Sequence, residues 1–127
     1  MSSEKHVKHK VKKLLDKHGW FWWMVPANGY GKGGVSDFHA LKNGVFLAIE
    51  TKYGDNKPTA LQKQFCESIM SCKGFAFVVT EKNLDWLDCW LTCFESATVA
   101  VSQGNEVAHT DGADMLNAIA SLTKLLS

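Results

Sequence analysis

An Asn-Gly pair at residues 43 and 44 separates two apolar-rich runs, and it constrains this chain more than any other feature of its sequence. Asn-Gly tolerates positive φ at both central positions of a type I′ turn, whose twist matches that of two antiparallel strands. With those residues as the turn, Lys42 faces Val45. Every further cross-strand pair then has the same sum of residue numbers, and Asp37 with Glu50 is one of them. The two carboxylates should therefore stand opposite each other, roughly 5 Å apart at Cβ. Lys52, two residues beyond Glu50, should point to the same face.

Like charges opposed on a sheet repel unless something neutralises them. A hard divalent cation such as Mg²⁺ or Mn²⁺ does so, because it prefers carboxylate and water oxygens. Two carboxylates holding a metal beside an ammonium can activate water and stabilise charge on a phosphoryl oxygen. The competing reading is a Lys52–Glu50 surface pair next to an unrelated aspartate, and a bulged or longer turn would break the register.

The chain of 127 residues suits one domain with a sizeable core, spanning 1–127. No apolar stretch reaches the ~18 residues that cross a bilayer, and the charged start leads into no signal-peptide core. A cytoplasmic protein with no membrane partner is expected. Cys66, Cys72, Cys89 and Cys93 lack paired C-x-x-C spacing. Cys89 and Cys93, one helical turn apart, could supply half a zinc site, but buried free thiols are the favoured expectation.

Net charge is +1, yet residues 1–82 hold 13 lysines against 7 acids, while residues 83–127 hold one lysine against 6 acids. Such asymmetry points to a basic face for a polyanion and an acidic surface elsewhere. All the basic residues are lysines. Lysine is a point charge for phosphate rather than a bidentate reader of guanine, so backbone contact is favoured over base readout.

Along the chain, Val7, Val11, Leu14 and Leu15 recur at helical spacing, predicting a helix from about Ser3 to His18 that ends at Gly19. Its lysines, Lys5, Lys8 and Lys12 among them, form either a solvated face or a phosphate-contacting one. Trp20 to Val25 reads as a strand stopped by Pro26. Trp20, Phe21, Trp22 and Trp23 are expected to fill core and subunit contacts rather than to stack on bases.

Residues 28–34 make a glycine-rich loop carrying Lys32. Its G-x-G-x-x-G pattern is not read as a dinucleotide site, because a hairpin follows where that site needs a helix. The hairpin spans about Val35 to Tyr53. Phe38, Ala40, Val45, Leu47 and Ile49 should meet the core, with Asp37, His39, Phe46, Ala48, Glu50 and Lys52 on the other face. A polar turn with Lys57 follows, then a helix from Thr59 to about Lys73 whose Thr59-x-x-Gln62 fits a capping box. Phe75–Val79 reads as a buried strand, 83–94 as a helix, 97–102 as extended and 112–126 as an amphipathic helix. The order implies an α/β domain with a mixed central sheet flanked by helices.

Taken together, Gly34-Val35-Ser36-Asp37, the hairpin, Ile49-Glu50-Thr51-Lys52, Thr59-x-x-Gln62 and a strand after Gly74 resemble the VRR-NUC nucleases. These belong to the PD-(D/E)XK, restriction-endonuclease-like superfamily. The resemblance runs from about Glu4 to Leu91, leaving 95–127 as an extension with an added C-terminal amphipathic helix. It implies metal-dependent hydrolysis of DNA phosphodiester bonds, with Mg²⁺ or Mn²⁺ on Asp37, Glu50 and the carbonyl of Thr51. Lys52 would orient water or stabilise the transition state. Gln62 would touch nucleophile or phosphate, although capping explains it equally. Glu4 would help hold metal, or simply favour a helix N-terminus. Ser36 stands where the superfamily name places proline, and His39 matches no required position. The resemblance further implies a homodimer acting on branched DNA such as four-way junctions, with Lys5, Lys8, Lys12, Lys32 and Lys57 as candidate DNA contacts. The alternative is a catalytically silent DNA- or protein-binding module on the same fold.

Overall fold

The computed structural model describes residues 3–26 and 34–104, with side chains as far as Ala97. The expected loop residues 28–33, Lys32 included, and the expected helix at 112–126 lie outside the described residues. The chain divides into two compact units, Met1–Leu84 and Asp85–Ser127.

The first unit opens with helix α1 (Glu4–Lys17), where the Ser3 side chain caps the His6 amide. Gly19, at φ +74°, turns the chain out of the helix. Strand β1 (Phe21–Met24) follows, then β2 (Phe38–Lys42) and β3 (Val45–Thr51). Asn43 and Gly44 have φ of 52° and 80°, as a type I′ turn requires. The register is the expected one, from Lys42↔Val45 to Phe38↔Ile49. Helix α2 (Ala60–Ser71) then crosses over to β4 (Phe75–Val79), which pairs parallel to β3. The result is a mixed four-stranded sheet in the order β1-β2-β3-β4.

Both faces of the sheet carry buried side chains along β3. Phe38, Ala40, Val45, Leu47 and Ile49 are buried on one side. Trp22, on that side, meets the Phe38 ring edge-on and donates its indole N–H to Asp16 of α1 at 2.7 Å. Val7, Val11 and Leu15 are the buried stripe of α1. On the opposite side α2 lays Phe65 flat against His39, with ring centroids 5.8 Å apart. Near the start of β2, Gly34 has φ +79°, and a Cβ there would come within 2.5 Å of the Leu61 backbone. Only glycine allows the hairpin and α2 to approach so closely.

Two expectations are corrected, the burial of the cysteines and the extended reading of 97–102. Trp20 is buried, while Phe21 and Trp23 are 69% and 40% exposed, which is compatible with the expected division between core and subunit contacts. A four-residue strand at the sheet edge alternates its side chains, and helix α1 covers only one of its faces. The cysteines are free as expected, yet none is buried, because all four lie on or at the ends of incompletely covered helical faces.

The second correction lies in the second unit. Residues 97–102 are not extended: they continue helix α3 (Leu84–Gly104). The β-branched Thr98, Val99 and Val101 give a strand-like pattern, but no glycine or proline interrupts the helix before Gly104. Leu87, Trp90, Leu91 and Phe94 are buried at helical spacing, with the Trp90 and Phe94 rings stacked 5.5 Å apart. Among the described residues, no helix is long and apolar enough to cross a membrane.

Candidate active site

The hairpin's open end brings the predicted carboxylates together. Asp37 lies one residue before β2, at a bend, and its carbonyl accepts the Val25 amide at 2.9 Å. Its Oδ2 accepts both the backbone N–H and the hydroxyl of Thr51, each at 2.8 Å. Thr51 was expected to matter through its carbonyl. The structure gives it a second part, as the residue that fixes Asp37, and the threonine hydroxyl in the Glu-Thr-Lys run is the sequence signal for it.

Glu50 sits on β3, 3% exposed. Its Oε2 accepts the side-chain N–H of Gln62 at 3.0 Å and lies 3.5 Å from Lys52 Nζ. Its Oε1 is buried without a hydrogen-bond partner. Burial pushes the Glu50 carboxyl up to about 7, the neighbouring Asp37 pushes in the same direction, and Lys52 opposes both.

Gln62 reconciles the two readings left open for it. Its Oε1 accepts the Thr59 amide at 2.8 Å while Thr59 Oγ1 accepts the Gln62 amide, completing the capping box. The other end of the same side chain, Nε2, reaches Glu50. Capping therefore anchors the amide that touches the carboxylate.

Lys8 is also at the site. Its Nζ lies 3.4 Å from Glu4 Oε2 and 3.8 Å from Asp37 Oδ1. Glu4 thus connects to the carboxylate pair through a lysine rather than joining it as a third acid. Among the described residues no group of three or more His, Cys, Asp or Glu is placed to hold a metal. The physical reason is local: Lys8 follows Glu4 by one helical turn and occupies the side of Glu4 that faces Asp37. Lys5 and Lys57 are exposed and Lys12 is half-buried. Among the described residues, no hydrogen bond or ion pair joins any of these three to Asp37 or Glu50.

His39 lies on the same sheet face but in an aromatic setting, between Trp23, Phe46 and Phe65. Burial pushes its pKa below the ordinary value, so it is a neutral ring at pH 7. Ser36, in the position where the superfamily name has proline, is 1% exposed.

The donor set suits a hard divalent cation. Each carboxylate has one oxygen fixed by the protein and one left to other partners: Thr51 fixes Asp37 Oδ2, and Gln62 with Lys52 fixes Glu50 Oε2. The buried Oε1 of Glu50 needs a compensating charge once the carboxylate ionises. Magnesium commonly binds one or two carboxylates and keeps several waters, so two acids and a main-chain carbonyl are a sufficient protein share. Comparison with protein-family models and with curated proteins yields no match to this chain.

Proposed function

We propose that this protein is a divalent-metal-dependent nuclease that hydrolyses DNA phosphodiester bonds. The observation that carries the reading is the pairing of Asp37 and Glu50, each held by one oxygen, with the Lys52 ammonium and the Gln62 amide on the same carboxylate. Asp37, Glu50 and the Thr51 carbonyl would hold Mg²⁺ or Mn²⁺. A cation bound there lowers the pKa of water and neutralises charge on the scissile phosphate.

The chain's own residues supply the rest. Lys52 is 3.5 Å from Glu50 and still partly accessible, so it can orient a water or meet charge developing on a phosphoryl oxygen. Gln62 keeps Glu50 aimed through a cap that does not depend on substrate. Thr51 does the same for Asp37. The resemblance to VRR-NUC nucleases in residues 4–91 supports the same reaction, and within it branched DNA as substrate and a homodimer as the acting form. Phe21 and Leu41 are cross-strand partners 69% and 41% exposed, an apolar edge that a second copy could cover.

Cleavage of labelled four-way junction, flap and linear duplex DNA with Mg²⁺, Mn²⁺ or EDTA tests the proposal. Metal-dependent cutting by the wild type, lost in Asp37→Asn, is the expected result. DNA binding without cutting in any metal would instead make the protein a binding module on this fold.

A further inference from the structure

The two carboxylates are not equally open. Glu50 Oε1 is buried and unpartnered, but the corresponding oxygen of Asp37 already has a cation beside it. That cation is Lys8, which lies 3.8 Å from Oδ1, the Asp37 oxygen that Thr51 does not take. It also lies 3.4 Å from Glu4. The lysine sits in the second turn of α1, between the buried Val7 and Val11. Its position is therefore set by the fold, while its four-carbon stem leaves the ammonium mobile. The side chain is 30% exposed, so it has a route away from the carboxylates toward solvent or an arriving polyanion.

A dication held by Asp37 would repel the ammonium beside the same carboxylate, and the ammonium is the mobile one of the two. We propose that Lys8 is the resident counter-cation of the metal-free site, displaced when metal binds and then available to a DNA phosphate. The inference rests on the metal-dependent reading above and assigns Lys8 a part that simple phosphate contact does not include. Lys8 competes with the metal for Asp37 and couples metal entry to the appearance of a free positive charge. It is a positioning residue, acting on the reaction through Asp37 and the substrate backbone.

The consequence is a pair of effects of opposite sign. Lys8→Met keeps the stem and removes the charge at a half-buried position of α1, so the variant's fold is checked by circular dichroism before titration. Calorimetric titration with Mn²⁺ alone should show the variant binding roughly tenfold more tightly than the wild type, the scale expected for removing one charge close to a dication in a partly solvated site. In saturating Mn²⁺, its KM for junction DNA should rise severalfold with kcat little changed, as loss of one phosphate contact predicts.

Mn²⁺ affinity unchanged in Lys8→Met would overturn the proposal and leave Lys8 as a helix-face partner of Glu4. Weaker Mn²⁺ binding would also overturn it, because Lys8 would then be organising the carboxylates rather than competing for them. Asp37→Asn, titrated alongside, separates the two levels of argument. No Mn²⁺ binding by the wild type, or equal binding by Asp37→Asn, would sink the metal reading itself. Loss in Asp37→Asn with an unaltered Lys8→Met would sink only the part given to Lys8.

Discussion

The two faces of the sheet are both buried along β3, but they are buried by different means. One face presents Val45, Leu47 and Ile49 among Phe38 and Ala40, all apolar and all at or below 2% exposure. The other presents Phe46, Ala48 and Glu50, and α2 closes it with Phe65 and Gln62. On the first face burial is its own reward, since apolar surface leaves water. On the second, burial removes solvent from a carboxylate and leaves one of its oxygens unpartnered. The fold tolerates that cost beside the cluster of polar groups that chemistry would use. Adjacent residues of one strand can thus be assigned to stability or to function by the face they take.

The sharpest way to break this contrast is to damage the apolar face and look for an effect on the other. Leu47→Ala should cost about 3.5 kcal/mol of stability, the middle of the range for a fully buried leucine. Measured by denaturant unfolding, that loss should leave Mn²⁺ affinity of the folded protein near the wild-type value. A specific loss of metal affinity in a folded Leu47→Ala protein would show that the faces are not independent.

A second experiment uses pH. The raised pKa of Glu50 means that the metal-free folded protein holds its proton more tightly than the unfolded chain does. The resulting stabilisation is fully present below the ordinary glutamate pKa and is lost as pH rises through about 7. Between pH 5 and pH 8 the metal-free wild type should therefore lose stability on the order of 2 kcal/mol from this group. In Glu50→Gln that part of the decline should vanish, and at pH 8 without metal the variant should be the more stable protein. An unchanged pH slope would mean that Glu50 is solvated and charged in the folded state.

The smallest effect concerns the helix that closes the second face. Thr59→Ala removes one half of the capping box and should cost about 1 kcal/mol. Gln62→Ala should cost a similar amount by the loss of its own half, again about 1 kcal/mol. Only Gln62→Ala also frees Glu50, so only it should alter the pH dependence of metal-free stability. Equal pH profiles in the two variants would return Gln62 to capping alone.

Much of this arrangement was legible in the chain, and the reasons differ from place to place. The β2–β3 register could be read because Asn43-Gly44 permits few turn geometries and a period of two carries the pairing outward. That register placed Asp37 near Glu50 without any knowledge of the fold. Strand β4 was legible as a short apolar run after Gly74, and α2 as a capping box followed by helical spacing. Residues 97–102 were misread because β-branched residues mimic a strand, whereas a helix already running continues until something stops it.

The sequence by itself determined the local structure and the chemical inventory: the turn, the caps, the alternation, and two acids with a lysine at fixed spacing. Only the tertiary structure decided which oxygens were held and which were left open. Thr51 reaches Asp37 across the hairpin, Gln62 reaches Glu50 from a helix that follows, and Lys8 reaches Asp37 from a helix far earlier in the chain. Contacts of that kind depend on how separate elements pack, and packing is set by side-chain volumes summed over the whole core rather than by any local pattern.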